Sequence, residues 1–532
     1  MAPKKHRRSE SKAPAASERM NRLKAKALAQ VAGQAWGANQ RHTTIVLLAE
    51  ALRREPTNTE TMVQLAAAYG RQRFYDKAEA ILSRLLELAP RKARIWRQAA
   101  QTYALIDRPE RAVECYRRCL QLYGDKAEGV PALVELAALE ERRHELEAAQ
   151  ASLSEALRLA PGHEEALLQQ AFLWRRSGRT TQAEVVLRDL AGDPSRTPST
   201  RTQAWYELAQ VLDDAEQYDE AHRALVAAKE IARKFAGAHH RENELTLQKN
   251  REMVAQLGQE HYQRWRAAAH QDSPYRLAIL TGHPRSGTTL VEQVLDGHAE
   301  AVSADEFDVL THWIYLPIMS RFPITQSVLS IVDRVPPAVR QQARAAYWQQ
   351  TEAILAAPIG SRLLIDKNPA MTLLLPVVNW ALPEAKMLIA LRDPRDVVLS
   401  CFMQRLQPNP ITVNWLSLES AAAFYAQMMN TWLAVRRWTE GQWLQFRYED
   451  VVADLAGQAR RILDFLGLPW NDQVLDFQKH ARDKIVRSPT YQDVTKPLYQ
   501  SSVGRWRRYE KYLAPAAKAL APFVQEFGYD AT

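Results

Sequence analysis

The sequence predicts two architectures in series: an all-α solenoid of helical repeats, then a layered α/β domain around a central parallel sheet. Three observations predict them. Prolines and small residues recur with a period near 34 over residues 20–235. From residue 275 onward, short apolar runs alternate with helical stretches and the fixed period is gone. The first of these runs, Leu277 to Leu280, opens into the polar loop Thr281-Gly282-His283-Pro284-Arg285-Ser286-Gly287-Thr288-Thr289-Leu290. At 532 residues the chain exceeds what one hydrophobic core holds, so several domains are expected.

A basic tail, residues 1–19, comes first and reads as a disordered, solvated arm. Lys4, Lys5, Arg7, Arg8 and Lys12 against Glu10 give it a net +4, nearly half of the chain's +9. The tail has no apolar stretch behind it, so a secretory signal is not expected. Nor does any apolar run reach the length of a membrane span. Three cysteines exclude a disulfide framework. Cys115 and Cys119, one helical turn apart, read as small core residues and not as metal ligands. A reducing, cytoplasmic location is expected. Specific nucleic-acid binding is not. The positive charge outside the tail calls for an anionic ligand.

In the repeat region, residues 20–235, Pro56 and Pro90 stand 34 residues apart, each after an apolar helix end, and Pro161 repeats the pattern. Ala78, Ala112, Ala149, Ala183 and Ala221 are spaced 34, 37, 34 and 38. One helix pair cannot bury its own apolar stripe, whereas stacked pairs with a small residue at each crossing make a continuous core. The pattern resembles the tetratricopeptide repeat, with about five repeats and a degenerate one before Pro56. Two roles stay open for it. One is a groove that recruits a protein or peptide. The other is a brace for the second domain, or a surface for a homodimer. Residues 236–274 continue as a polar linker helix.

In the second half, residues 275–532, strands are expected at 277–280, 362–365, 385–391 and 443–448. Helices are expected at 334–356, 370–382, 395–406, 417–438 and 455–467. Short apolar strands between helices mark a parallel sheet covered on both faces. Ligands of such sheets collect at the carboxyl ends of the strands. Three expected strands end in polar clusters: the 281–290 loop, Asp366-Lys367-Asn368-Pro369, and Arg392-Asp393-Pro394-Arg395-Asp396. Arg285, Lys367 and Arg392 therefore share one face, which is costly without an anion between them. The strand–loop–helix stretch is itself a P-loop-like anion site, with backbone N–H groups and a helix N-terminus aimed at one spot. Thr288 stands where a nucleotide triphosphatase carries its Lys, so ATP is not the expected ligand.

These residues resemble the sulfotransferases that use 3′-phosphoadenosine-5′-phosphosulfate. Pro284-Arg285-Ser286-Gly287-Thr288-Thr289-Leu290 looks like their phosphosulfate-binding loop. Leu391 to Ser400 looks like their 3′-phosphate segment, in which Arg392 and Ser400 would hold that phosphate. With the repeats in front, the chain is similar to the bacterial tetratricopeptide-repeat sulfotransferases, and within the superfamily to the tyrosylprotein sulfotransferases. That resemblance implies Glu306 as catalytic base, 21 residues after Arg285, with the adjacent Asp305 as competitor. It implies Lys367 as a catalytic cation and Tyr448 as a nucleotide contact. It also implies a C-terminal lid carrying Ser488 and Arg505. The spacing from Ser488 to Lys496-Pro497 is two residues longer than the resemblance implies, and Arg505 replaces a Lys.

Sulfuryl transfer resembles phosphoryl transfer, with in-line attack and charge building on the leaving phosphate. The resemblance implies that Glu306 takes the acceptor proton. Arg285 and Lys367 would stabilise the sulfuryl group and leaving phosphate. Pro284, Ser286, Gly287, Thr288 and Thr289 would line the phosphate site. The product would be adenosine 3′,5′-bisphosphate, and no metal is expected. The expected acceptor is a protein or peptide hydroxyl, tyrosine among the candidates. The alternatives are a carbohydrate or small-molecule acceptor, a P-loop kinase or nucleotide triphosphatase, and an inactive repeat scaffold.

Overall fold

The computed structural model describes residues 13–37, 41–72, 74–267, 275–355, 357–405, 408–477 and 501–530. The chain forms two compact units, one ending at Val186 and the other beginning at Leu187.

The first unit is all helix. Ala13–Gly37 and Arg41–Arg54 precede the pairs Thr59–Arg71 with Tyr75–Leu88, Ala93–Leu105 with Pro109–Tyr123, and Val130–Arg142 with Leu146–Leu159. Pro56, Pro90 and Pro161 lie in the turns between pairs, where a missing N–H costs no helix hydrogen bond. Asn58 caps one helix by accepting the Thr61 N–H at 2.9 Å. The marker alanines Ala78, Ala112, Ala149 and Ala183 are all 0% exposed, inside a packed interior where a larger side chain would be felt. Cys115 and Cys119 are buried in this core, and burial pushes their thiols up to about 12 and about 11.

The second unit begins with a further repeat-like pair, Pro198–Asp214 and Tyr218–Arg233, with Ala221 again 0% exposed. The expected linker helix is two helices, Gly237–Gln256 and Gln259–Ala267, because Leu257 is extended (ψ 120°) and ends the first. Both the pair and the linker are built into the α/β layer. Asn243 and Asn414 exchange side-chain amide bonds at 3.0 Å. Asn250 donates to the Leu373 carbonyl at 2.8 Å and accepts from Thr431 at 3.0 Å.

The sheet has five parallel strands: β1 (Arg276–Gly282), β2 (Ala301–Ser303), β3 (Leu363–Lys367), β4 (Lys386–Leu391) and β5 (Trp443–Arg447), in the order β2-β3-β1-β4-β5. Four strands lie where apolar runs predicted them. β2 was not expected, since three residues at a sheet edge carry no apolar run. The expected 370–382 helix is a tight turn, Pro369–Leu374, followed by the helix Leu375–Ala381. Leu280, Leu290, Val294, Ile365, Leu388 and Phe446 pack between sheet and helices. Each such side chain contributes roughly 1.5–3 kcal/mol by leaving water. With β1 central and its neighbours reached in opposite directions, the crevice over the carboxyl end of β1 is the switch point of the sheet. Among the described residues no helix is long and apolar enough to cross a membrane.

Candidate active site

The site starts where β1 ends. Gly282 has φ +153°, and a Cβ there would sit 2.4 Å from the Ala390 carbonyl of β4, so only glycine lets the chain leave the sheet here. Thr372 locks the exit: it donates to the Gly282 carbonyl at 2.6 Å and accepts the Gly282 N–H at 3.1 Å. His283 turns inward, 1% exposed, and its Nδ1–H donates to the Pro284 carbonyl at 2.7 Å. Burial pulls its pKa down to about 4, and its ring packs on Phe424 and Tyr425. This histidine is therefore neutral and faces the core.

The loop then places its functional groups. Arg285 takes a left-handed backbone, φ +76°, rare for a residue with a Cβ, and its Nε donates to Ser400 Oγ at 3.0 Å. Ser286, Thr288 and Thr289 are buried along the loop. Gly287 has φ +89°, and an added Cβ would meet the Tyr448 ring at 2.5 Å. The helix Thr288–Asp296 starts at once, its positive end directed at the loop.

The other strand ends converge on this loop. Beyond β3, Lys367 is 1% exposed, and its Nζ lies 2.7 Å from Glu306 and 3.0 Å from Glu292. Burial works against its charge, but Glu292 and then Glu306 outweigh it and hold the ammonium above its ordinary pKa. Next to it, burial pushes the Asp366 carboxyl up to about 7, and Tyr347 donates to that carboxyl at 2.6 Å. Glu306 follows β2, after Asp305, which is buried with φ +55°. Beyond β4, Arg392 donates to the Arg285 carbonyl at 3.2 Å and the Ser502 carbonyl at 2.5 Å, with Tyr448 5.0 Å beneath its guanidinium. Its Nε is buried and has no hydrogen-bond partner among the described residues.

The structure thus groups the predicted residues into two sets. Glu306 meets Lys367, and Arg285, Ser400, Arg392, Gly287 and Tyr448 form a second cluster around the loop. Arg505, in the turn Arg505–Tyr509, points to Asp213 at 2.5 Å. Ser488 lies outside the described residues. Sequence reasoning missed Glu292, Asp396, Ser502 and Asp213. Asp396 accepts the backbone N–H groups of Gly504 and Trp506 at 2.7 and 2.8 Å, tying the C-terminal segment to the helix Pro394–Met403. The signal for Asp396 was its place in the Arg-Asp-Pro-Arg-Asp cluster. Glu292 sits among Leu290, Val291, Val294 and Leu295, where a buried charge stands out. Among the described residues no group of three or more His, Cys, Asp or Glu is arranged to hold a metal.

Residues 278–472 match the sulfotransferase family, and residues 58–125 match the tetratricopeptide repeat. An Aquifex aeolicus protein described only as uncharacterized is 26% identical over 380 residues, covering 71% of this chain and 48% of that one. Against this relative the chain spans about half of the other protein's length. Protein-tyrosine sulfotransferase A of Caenorhabditis elegans is 24% identical over 275 residues, covering 49% of this chain and 68% of its own. Human protein-tyrosine sulfotransferase 1 is 25% identical over 279 residues, covering 49% and 71%. The solved sulfotransferase domain of the Synechococcus PCC 7002 olefin synthase superposes with a TM-score of 0.36 at 23% identity, covering 49% of this chain and 97% of that domain.

Proposed function

We propose that this chain, a tetratricopeptide-repeat region followed by a sulfotransferase-family domain, moves a sulfuryl group from 3′-phosphoadenosine-5′-phosphosulfate to a protein or peptide hydroxyl. The observation that carries this reading is the Lys367–Glu306 pair, 2.7 Å apart at the strand ends beside the 281–290 loop. A carboxylate for the acceptor proton and a cation for the leaving phosphate are the two groups the transfer needs.

The residues present suit the donor. The buried Nε of Arg392, which has no hydrogen-bond partner among the described residues, wants an anion, and Ser400 and Arg285 stand beside it. Arg392 and Ser400 would hold the 3′-phosphate end. Tyr448 closes on Gly287 and would flank the nucleotide. Pro284, Ser286, Gly287, Thr288 and Thr289 would cradle the 5′-phosphosulfate, with Arg285 and Lys367 facing its developing charge. Glu306 would accept the proton as the acceptor oxygen attacks sulfur. One S–O bond forms and the S–O bond to the 5′-phosphate breaks, releasing adenosine 3′,5′-bisphosphate. Ser488 and Arg505 would be further contacts of the donor. The repeats, and the likeness to the protein-tyrosine sulfotransferases of C. elegans and human, favour a protein acceptor, tyrosine among its hydroxyls. The free thiols of Cys115, Cys119 and Cys401, all buried, suit a reducing cytoplasmic compartment.

Adenosine 3′,5′-bisphosphate should raise the melting temperature by binding the folded state, and labelled sulfate should pass from the donor into proteins of a cell lysate. A shift with ATP and magnesium, but none with the bisphosphate, would overturn the reading.

A further inference from the structure

Glu292 is 0% exposed, on the helix Thr288–Asp296 one turn beyond Thr288. The chemistry above gives it no task, yet a carboxylate at such a place is expensive unless paired. It is paired twice. Its Oε2 lies 3.0 Å from Lys367 Nζ. Its Oε1 accepts a hydrogen bond from Ser303 Oγ, which in turn accepts the Asp305 N–H at 3.1 Å. Asp305 holds the left-handed backbone, φ +55°, that precedes Glu306. One carboxylate is therefore ion-paired with the ammonium and, through one hydroxyl, linked to the turn that presents the second carboxylate to that ammonium.

We infer that Glu292 is a positioning residue of the transfer site, which divides the charge of Lys367 between itself and Glu306 and sets the turn that aims Glu306. Lys367 alone on Glu306 would stabilise the ionised carboxylate and make it a poor proton acceptor. A second carboxylate on the same ammonium shares that attraction and adds like-charge repulsion. Lys367 and Asp305 face Glu292 from the two neighbouring strand ends, Glu306 shares Lys367 with it, and Asp366 lies behind on β3. Burial pushes the Glu292 carboxyl up, and Lys367 opposes this.

The inference rests on the transferase reading above. Its test is the initial rate of transfer from labelled donor into total lysate protein, followed against pH and donor concentration. Glu292→Gln keeps the shape and removes the charge. It should lower the rate at saturating donor at least tenfold, leave the donor KM unchanged or lower, and move the acid limb of the pH profile to lower pH. A packing role alone would leave that limb in place. Ser303→Ala cuts only the link to the turn, and should lower the saturated rate severalfold with an unchanged donor KM. It carries the test if Glu292→Gln does not fold. Wild-type rate and acid limb in a folded Glu292→Gln, or an unchanged rate in Ser303→Ala when the first variant cannot be made, overturn the inference alone. A wild-type protein that labels nothing overturns the transferase reading, and the inference falls with it.

Discussion

Asp213 Oδ2 lies 2.5 Å from the Arg505 guanidinium, joining two residues 292 positions apart. Asp213 ends the helix Pro198–Asp214 and is 6% exposed, and its Oδ1 accepts the Tyr509 hydroxyl at 2.6 Å. Asp396 grips the same segment from the other side through Gly504 and Trp506, and Arg392 holds Ser502. A repeat-like helix thus clamps a segment that also touches the proposed nucleotide site. Asp213→Ala leaves Arg505 and Tyr509 without their partner, which should cost on the order of 1–3 kcal/mol in a urea melt. It should also weaken adenosine 3′,5′-bisphosphate binding severalfold by calorimetry. An unchanged affinity would show that the clamp has no bearing on the donor.

Glu306 and Asp305 compete for the role of base, and the geometry separates them. Glu306 reaches Lys367, with a side chain 36% exposed and open to an acceptor, whereas Asp305 is buried behind it. Glu306→Ala should lower turnover by about 10²–10⁴-fold, the usual worth of a general base. Asp305→Ala should lose less. Near-normal turnover in Glu306→Ala removes the assignment.

Much of this was legible from local pattern. The β1 run, the loop behind it and the strand-end cations Arg285, Lys367 and Arg392 could be read because buried parallel strands are continuous apolar runs and ligands gather where they end. The repeat alanines could be read because a crossing point tolerates only a small side chain. What stayed hidden depends on distant partners. Nothing near Asp213 in sequence announces Arg505. β2 is too short to show a period. Lys229 looks like a surface residue by its chemistry, although it falls on the same stripe as Ala221 and Leu225. The break at Leu257 comes from one extended residue in a polar stretch with no proline.

The two loop glycines should fail differently. At Gly282 a Cβ would press at 2.4 Å on the Ala390 carbonyl, a backbone atom inside the sheet that cannot give way. Gly282→Ala should therefore destabilise the fold by about 1–3 kcal/mol, read as a lower urea midpoint. At Gly287 the obstacle is the Tyr448 side chain, which can rotate, although the backbone at φ +89° remains strained for alanine. Gly287→Ala should show the smaller loss of stability and a larger loss of bisphosphate affinity, because the ring that moves belongs to the proposed site. Equal effects on both measurements would contradict this account.

Lys229 supplies a pH test within the second unit. It is 1% exposed between the rings of Tyr206 and Phe402, 5.3 and 5.1 Å away, and its best acceptor is the Gln404 carbonyl at 3.5 Å. Burial pulls its pKa from 10.5 down to about 7. The unfolded chain keeps this proton up to pH 10.5, while the folded chain releases it near 7. Between those values the unfolded state binds more protons, so this group makes stability rise with pH, by up to about 1.4 kcal/mol per unit. Below pH 7 the full penalty of a buried ammonium applies. Lys229→Met removes the penalty while filling similar space. It should be more stable than wild type at pH 6, and the gap should close as the pH approaches 10. Urea midpoints of the two proteins that run parallel across that range would mean that Lys229 stays charged in the fold.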